Sequence, residues 1–179
     1  MSPPASSRPA ILVAGGAGYI GSQTCKALSE AGYLPVVLDN LSTGYAQAVK
    51  WGPFVRGDLR DEALVGETLR VHGIRAAMHF AAFSIVPESV KDPIKYYDNN
   101  VGAAVAFTRA LVAGGVEAFV FSSTAATYGI PAVSPIPEDH PTCPINPYGA
   151  SKLAFESALK WFGQAHPFRW NALRYFNAA

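Results

Sequence analysis

Ile-Leu-Val-Ala-Gly-Gly-Ala-Gly-Tyr-Ile-Gly, residues 11–21, joins an apolar strand to a glycine-rich turn that opens a helix. Gly15, Gly18 and Gly21 keep the spacing Gly-x-x-Gly-x-x-Gly. Glycines so placed allow a tight turn, close approach of the backbone to a pyrophosphate, and close packing of helix on strand. Glycine turns without a ligand are common, so this pattern alone leaves both interpretations open.

The residues around the turn favour a dinucleotide site. Strand Ile11–Ala14 precedes it, the first free N–H groups of the following helix would receive an anion, and a second strand, Pro35–Leu38, ends in Asp39. Asp39 lies at the expected distance of about 20 residues from the turn. Its carboxylate can accept from both adenosine ribose hydroxyls and would repel a 2′-phosphate, so the pattern favours NAD over NADP. The alternative is a solvated acid at a strand end.

Composition limits the class of protein. A chain of 179 residues with 50% hydrophobic content predicts one globular domain, and a net charge of +1 gives no reason to expect a nucleic acid or a membrane as partner. Cys25 and Cys143 are expected to be free thiols, as in a reducing cytoplasm. Residues 1–9, rich in Pro and Ser, are expected to form a flexible lead, neither signal peptide nor anchor, before an NAD-binding domain at residues 10–179.

Strand and helix patterns alternate along the whole chain. Further strands are predicted at Phe54–Arg56, Ala76–Phe80, Ala118–Phe121 and Trp170–Tyr175, further helices after Asp61, at Ile94–Ala113 and at Tyr148–Ala165, and loops at Ser84–Pro93 and Tyr128–Pro147. This alternation predicts an α/β fold: a doubly wound parallel sheet with helices on both faces. Asn99 and Asn100 are poor helix formers, so at least one of them should have a polar partner.

Several polar or small residues follow these strands, at the edge where parallel sheets bind ligands. Asp58 could accept from an adenine amino group or could simply cap the next turn, and both readings stay open. Ala81 and Ala82 would let a cofactor pass close to the backbone. Ser122 and Thr124 follow the fifth strand, so their hydroxyls should lie at the same edge.

Tyr148-x-x-x-Lys152 places two side chains on one face at the start of a helix. A tyrosine needs its pKa lowered by roughly three units to act as a base near neutrality, and a cation within about 4–6 Å supplies part of that shift. Lys152 and the positive nicotinamide ring of NAD⁺ could do so together. The Thr124 hydroxyl could bridge Tyr148 and a substrate hydroxyl as a proton relay.

These motifs carry a family resemblance. The chain resembles the UDP-glucose 4-epimerase family, within the extended short-chain dehydrogenase/reductase superfamily, in Gly-Gly-Ala-Gly-Tyr-Ile-Gly-Ser (15–22), Leu-Asp-Asn-Leu (38–41), Gly-Asp-Leu-Arg (57–60), His-Phe-Ala-Ala (79–82), Glu-Ser-Val (88–90), Tyr-Tyr-Asp-Asn-Asn-Val (96–101), Asn-Pro-Tyr-Gly-Ala-Ser-Lys (146–152) and Arg-Tyr-Phe-Asn (174–177). The resemblance implies resident NAD and epimerisation at C4 of a UDP-hexose through a 4-keto intermediate. It also implies Tyr148 as catalytic base, Lys152 as its electrostatic partner, and Thr124 where many members carry serine.

The resemblance also implies contacts for the remaining site residues. They are Gly15, Gly18, Tyr19, Ile20 and Gly21 at the pyrophosphate, Asp39 and Asn40 at the adenosine ribose, Asp58 and Leu59 at the adenine, Phe80, Ala81, Ala82, Asn99 and Ser122 along the cofactor, Tyr175 near the nicotinamide, and Asn177, with Thr124 and Tyr148, on the side of the nucleotide sugar. No metal site is expected. A homodimer is expected through helices Ile94–Ala113 and Tyr148–Ala165.

The sequence departs from the family in one respect. Members of the family have a second lobe that supplies most uridine and sugar contacts, and we expect this lobe to be largely absent here. The identity of the UDP-sugar therefore stays open, and a non-catalytic NAD-binding module is the alternative from another class. A nucleotide-sugar 4,6-dehydratase is disfavoured, because that family needs Asp-Glu after the threonine and this chain has Ala125 and Ala126.

Overall fold

The computed structural model describes residues 8–178, and its centre is one parallel sheet of six strands. The strands are β1 (Ala10–Ala14), β2 (Leu34–Asp39), β3 (Phe54–Arg56), β4 (Ala76–His79), β5 (Ala118–Thr124) and β6 (Arg169–Tyr175). Their order in the sheet is β3-β2-β1-β4-β5-β6. Because the chain runs outwards from β1 to one edge and then from β4 to the other, this is the doubly wound order that the sequence predicts.

Helices connect these strands. They are α1 (Tyr19–Glu30), α2 (Glu62–His72), α3 (Val86–Lys91), α4 (Pro93–Tyr97), α5 (Ala104–Ala113) and α6 (Pro147–Ala165), with a π-helical segment at Asp98–Ala103 and 3₁₀ turns at Ala46–Ala48 and Ala125–Thr127. The predicted ends of α2 are confirmed: Asp61 accepts from the backbone N–H of Leu64, and Gly73 ends the helix with φ +62°.

The two faces of the sheet carry different helices. Leu12 and Val36 pack with buried residues of α2, α5 and α6, including Phe107 and Phe155, whereas Val13, between Leu12 and Ala14, packs with Cys25 of α1 on the other face. Side chains of a strand alternate between faces, so the short apolar runs β1 and β2 supply both layers of core. The prediction of helices on both faces is confirmed.

The segment Ser84–Pro93 is not the loop that we expected. It contains α3, which Pro87 favours in its first turn, and the Ser89 hydroxyl donates to the carbonyl of Val86 at 2.7 Å. The predicted helix Ile94–Ala113 is helical throughout but changes to π geometry around its two asparagines. β5 is three residues longer than expected, because residues 122–124 pair with residues 173–175 of β6.

Arg8 and Pro9, at the end of the expected flexible lead, are held in the fold by hydrogen bonds. Residues 1–7 of the expected flexible lead lie outside the described residues, but Arg8 donates to the carbonyl of Ser29 at 2.9 Å and the carbonyl of Pro9 accepts from Leu34 at 2.9 Å. These two residues are therefore tied to α1 and β2. Both cysteines are free thiols, as predicted. Among residues 8–178, no helix combines the length and the apolar character needed to span a membrane.

Candidate active site

The glycine turn between β1 and α1 lies against the end of β4. Gly15 has φ +79°, and a Cβ atom there would lie 2.5 Å from the backbone nitrogen of Ala81. A Cβ atom on Gly21 would lie 2.2 Å from the carbonyl oxygen of Gly15. Only glycine fits these two positions, because larger residues would push the turn off β4 and α1 off the turn. Gly18 is more open, since a Cβ there would meet only the Gly15 carbonyl oxygen, at 3.3 Å.

The first turn of α1 presents free backbone donors at this point. Gly18 is the N-cap and has no side chain to cap the helix, and the N–H of Ser22 already bonds to the Gly18 carbonyl. The preceding N–H groups, those of Tyr19, Ile20 and Gly21, therefore have no acceptor within the helix. Such a helix start attracts an anion, so the structure places the predicted pyrophosphate donors together.

Asp39 has a structural task as well as its predicted one. At the end of β2 its carboxylate accepts from the N–H of Ala17 at 3.0 Å and from the N–H of Leu41 at 2.8 Å. The residue is 9% exposed, and each carboxylate oxygen retains a lone pair for a further donor. Asp39 thus holds the glycine turn and still faces the cleft beside it.

Asp58, at the end of β3, is fixed by a neighbouring amide. Its carboxylate accepts from the Asn40 side chain and from the N–H of Arg60, both at 3.0 Å. Burial raises the pKa of Asp58, but these hydrogen bonds and the Arg60 charge outweigh it and hold the pKa below its usual range. The capping interpretation is therefore correct for one oxygen, and an adenine contact stays a prediction.

A cleft with about 580 Å³ of empty space, its mouth included, runs along the ends of β1, β2, β3 and β4. Predicted cofactor residues that line it are Gly15, Gly18, Asp39, Asn40, Asp58, Leu59, Phe80, Ala81, Ala82 and Asn99. Its other lining residues, not among those predicted, are Leu38, Ser42, Thr43, Gly57, Phe83 and Ala103. Because ten predicted cofactor residues line it at the carboxyl ends of the strands, this cleft matches the expected adenosine region.

Lys152 lies deep behind β5. Its ammonium group donates to the carbonyl of Ser122 at 2.7 Å and lies 4.7 Å from the centre of the Phe121 ring. The residue is 2% exposed, and burial lowers the pKa of Lys152 to about 7 although Glu156 opposes the change. The predicted residues Ser122 and Lys152 are thus in direct contact.

Tyr148 lies in the first turn of α6 and meets Thr124 at the end of β5. A hydrogen bond from Thr124 lowers the pKa of Tyr148, but burial raises it by more, so the net change is upward. Thr124 also accepts from the N–H of Ala126 at 3.1 Å, which fixes its hydroxyl. Tyr175 lies opposite Thr124 in the pairing of β5 with β6, while Asn177 is exposed beyond the end of β6.

The electrostatic role expected of Lys152, together with the ring of NAD⁺, stays a prediction, and the side chain that acts on Tyr148 here is Thr124. The pKa of Tyr148 is raised, and the group that lowers it is the Thr124 hydroxyl rather than the Lys152 ammonium. Thr124 is therefore the first support of Tyr148 that the fold provides.

Three residues that the sequence did not identify as site residues, Ser89, Tyr96 and Asn100, hold the start of α6. The Ser89 hydroxyl accepts from the N–H of Tyr148 at 3.2 Å, and the Tyr96 ring packs edge-on at 6.5 Å. The Asn100 side chain bonds both backbone groups of Phe83 and lies 3.2 Å from the Ser151 hydroxyl. The polar partner expected for the asparagine pair is confirmed. The motifs at residues 88–90 and 96–101 were the available signal.

His79 is buried behind the site, on the side of Lys152. Four phenylalanine rings, those of Phe107, Phe119, Phe121 and Phe155, lie within 6.3 Å of its ring centre. Within the described part of the chain neither ring nitrogen has a hydrogen-bond partner. Burial, with the charge of Lys152, lowers the pKa of His79 to about 3, so the ring is neutral at physiological pH.

Comparison with known proteins supports the geometry. The NAD dependent epimerase/dehydratase family matches residues 11–179. UDP-glucose 4-epimerase of Rhizobium meliloti (strain 1021) is 54% identical over 169 residues, which cover 94% of this chain and 52% of that protein. The enzyme of the same name from Lacticaseibacillus casei is 51% identical over 170 residues, with 94% and 51% covered.

A solved structure gives the same result. UDP-glucose 4-epimerase from Brucella ovis in complex with NAD has a TM-score of 0.94 and 49% identity, covering 96% of this chain and 53% of that one. The chain thus spans about half the length of the relatives it matches. The family match, the sheet order and the glycine turn agree, and the chain belongs to the NAD dependent epimerase/dehydratase family.

Proposed function

We propose that this chain is the cofactor-binding half of an NAD-dependent enzyme that inverts C4 of a UDP-hexose, UDP-glucose or UDP-galactose, through a 4-keto sugar. The observation that carries the proposal is the contact of Tyr148 with Thr124. Tyr148 lies one helical turn before the buried Lys152 on α6. Relatives named UDP-glucose 4-epimerase, about half identical over this region, support it.

The residues of the cleft fit NAD. Because Gly15 and Gly21 have no Cβ atoms, the turn packs closely against the end of β4 and the start of α1 packs closely against the turn. A pyrophosphate in the cleft would therefore meet the N–H groups of the first turn of α1. Asp39 and Asn40 would hold the adenosine ribose, and Asp58 and Leu59 the adenine. When bound, NAD accepts the hydride from C4 of the sugar and gives it back, so no net oxidation results.

Tyr148 would take the proton of the sugar 4-hydroxyl and later return it. Its phenol is half-buried and interacts with the hydroxyl of Thr124, which can pass a proton between phenol and substrate. The raised pKa of Tyr148 means that it needs a positive neighbour to act as a base near neutrality. Lys152 is the cation on the same face of α6, and its charge would supply that effect.

Two other functions make different predictions. A 4,6-dehydratase needs acid and base groups after Thr124, but Ala125 and Ala126 form a 3₁₀ turn there and offer none. A non-catalytic NAD-binding module would hold the cofactor and turn nothing over. The match to only half of each relative's length is the observation that keeps this second candidate open.

The proposed assembly is a homodimer through the outer faces of α5 and α6. Val112 of α5 and Phe162 of α6 line an apolar groove there, and Trp161 is 63% exposed. Such faces suit an isologous contact. Light scattering at about 50 μM would show the dimer, and a monomer at that concentration would contradict the proposed assembly.

The proposed compartment is the cytoplasm, because the two free thiols fit a reducing environment.

The test is conversion of UDP-galactose to UDP-glucose by the protein at its natural length, with no NAD added and product separated by chromatography. The proposal expects UDP-glucose to form while NADH does not accumulate. Bound NAD without any conversion would favour the module, and release of a 4-keto-6-deoxy sugar would favour the dehydratase.

A further inference from the structure

Lys152 and Glu156 are buried one helical turn apart. They are 2% and 7% exposed, and their i, i+4 spacing puts them on the same face of α6. A buried ammonium loses its hydration, so its charge survives only if other groups stabilise it. The surroundings of Lys152 therefore decide whether it is charged.

Glu156 is held from the two neighbouring strands. The Ser123 hydroxyl of β5 donates to one carboxylate oxygen, and Arg174 of β6 donates to both oxygens, at 3.1 and 2.7 Å. Ser123 and Arg174 are direct partners in the β5–β6 pairing, and the guanidinium lies 4.8 Å from the centre of the Tyr128 ring. The carboxylate thus has a fixed position on the sheet side of α6.

The other groups around Lys152 bring no negative charge. From β5 it meets the Ser122 carbonyl and the Phe121 ring, and from β4 it meets His79, which is neutral. Tyr148 precedes it by one turn on its own helix and is a neutral phenol near pH 7. The charged side chain that raises the pKa of Lys152 is Glu156. The Arg174 guanidinium bonds to Glu156 and not to Lys152.

We propose that Glu156 is a positioning residue, whose carboxylate, fixed by Ser123 and Arg174, keeps the Lys152 ammonium charged on the face of α6 that carries Tyr148. The effect of the Lys152 charge on Tyr148 rests on the proposed function. Loss of this carboxylate leaves Lys152 neutral at a pH where the parent protein is charged. Tyr148 then loses the cation that would make it a base.

The test is an NMR titration of the chain labelled with ¹³C at lysine Cε, with the Lys152 signal assigned by its absence in Lys152→Met. In Glu156→Gln the midpoint should move to lower pH by about one unit or more. Glu67→Gln is the matched control, because Glu67 is an exposed carboxylate that Arg70 binds through two hydrogen bonds. Its Lys152 midpoint should equal that of the parent.

Two further variants separate charge from packing. Glu156→Asp retains the charge, so its midpoint should stay closer to the parent's than that of Glu156→Gln. If Glu156→Gln does not fold, the double variant Glu156→Gln, Arg174→Met removes both charges and leaves none unpaired. Its midpoint should also fall. An unchanged midpoint in the folded variant would overturn the inference, as would an equal shift in Glu67→Gln.

The titration needs no substrate, so it can fail independently of the proposed function. In the turnover assay, Glu156→Gln should lower kcat with KM for the UDP-sugar unchanged, and the alkaline limb of its pH profile should move with the Lys152 midpoint. A lowered midpoint without any turnover in the parent would contradict the proposed function and leave the role of Glu156 standing. Turnover in the parent with an unmoved Lys152 midpoint in Glu156→Gln would support the proposed function and overturn the role of Glu156.

Discussion

The carboxylate of Asp39 accepts a hydrogen bond of 3.0 Å from the backbone N–H of Ala17, so the end of β2 holds the glycine turn that follows β1. The residue expected to choose between two cofactors therefore also shapes the phosphate site. Substitutions of Asp39 should act on both properties, and the choice of replacement separates them.

Asp39→Asn should narrow the preference for NAD over NADP, because it removes the charge that repels a 2′-phosphate but keeps an acceptor oxygen for the turn. Asp39→Ala should narrow the preference too, and should also weaken binding of both cofactors because Ala17 loses its acceptor. Calorimetric titration of each variant with both cofactors measures this. Asp139→Asn, on the exposed loop before α6, is the control. Equal affinity of the unmutated chain for both cofactors would refute the assignment.

Gly15→Ala and Gly66→Ala should change stability in opposite directions. At Gly15, with φ +79°, the new Cβ meets the backbone of Ala81, so we expect a loss of more than about 1 kcal/mol and loss of NAD binding. At Gly66, inside α2, an added Cβ would meet no atom within 4 Å beyond its chain neighbours and the backbone of its own helix, so alanine should stabilise by about 0.5–1 kcal/mol. Urea unfolding checks both values, and an unaffected Gly15→Ala protein would contradict the described turn.

His79 should make the fold sensitive to acid. Its pKa is about 3 in the folded chain, below the usual value of 6.5, so between those pH values the unfolded chain binds a proton that the folded chain does not. The part of the stability that comes from this neutral ring should be lost progressively as the pH falls from 6.5 to about 3. His79→Leu should remove this part of the loss, whereas His166→Gln, at an exposed histidine, should not. Parallel slopes for His79→Leu and the parent would contradict the buried neutral ring.

Tyr148→Phe should lower turnover by about 10²–10⁴-fold while NAD stays bound, because only the phenolic hydroxyl exchanges the proton. The ring and its edge-on contact with Tyr96 remain, so the fold should be unaffected. Tyr33→Phe, at a partly exposed tyrosine on the loop before β2, is the control and should leave turnover unchanged. Undiminished turnover in Tyr148→Phe would mean that another group is the base.

The sequence predicts well what short segments decide. The six strands, the glycine turn and the spacing of Tyr148 and Lys152 follow from local patterns of apolar residues, glycines and caps, and the structure has each of them. The parallel order also follows, because alternating strands and helices allow few arrangements.

The sequence predicts poorly what distant segments decide together. Asn100 bonds to Phe83 and Ser151, 17 and 51 residues away, and no local pattern indicates the π-helical segment around it. The contact of Glu156 with Ser123 and Arg174 likewise joins a helix to two strands. The direction of the pKa of Tyr148 likewise depends on burial in the packed fold, which no local pattern indicates.

The most direct measurement of the central claim uses UDP-galactose with deuterium at C4, converted in ordinary water by the protein at its natural length. If C4 is oxidised by resident NAD while Tyr148 carries only the hydroxyl proton, the UDP-glucose formed should keep the deuterium at C4. Mass spectrometry and ¹H NMR of the product decide it. Product with hydrogen from solvent at C4 would contradict the account, because the C4 hydrogen would then have left as a proton.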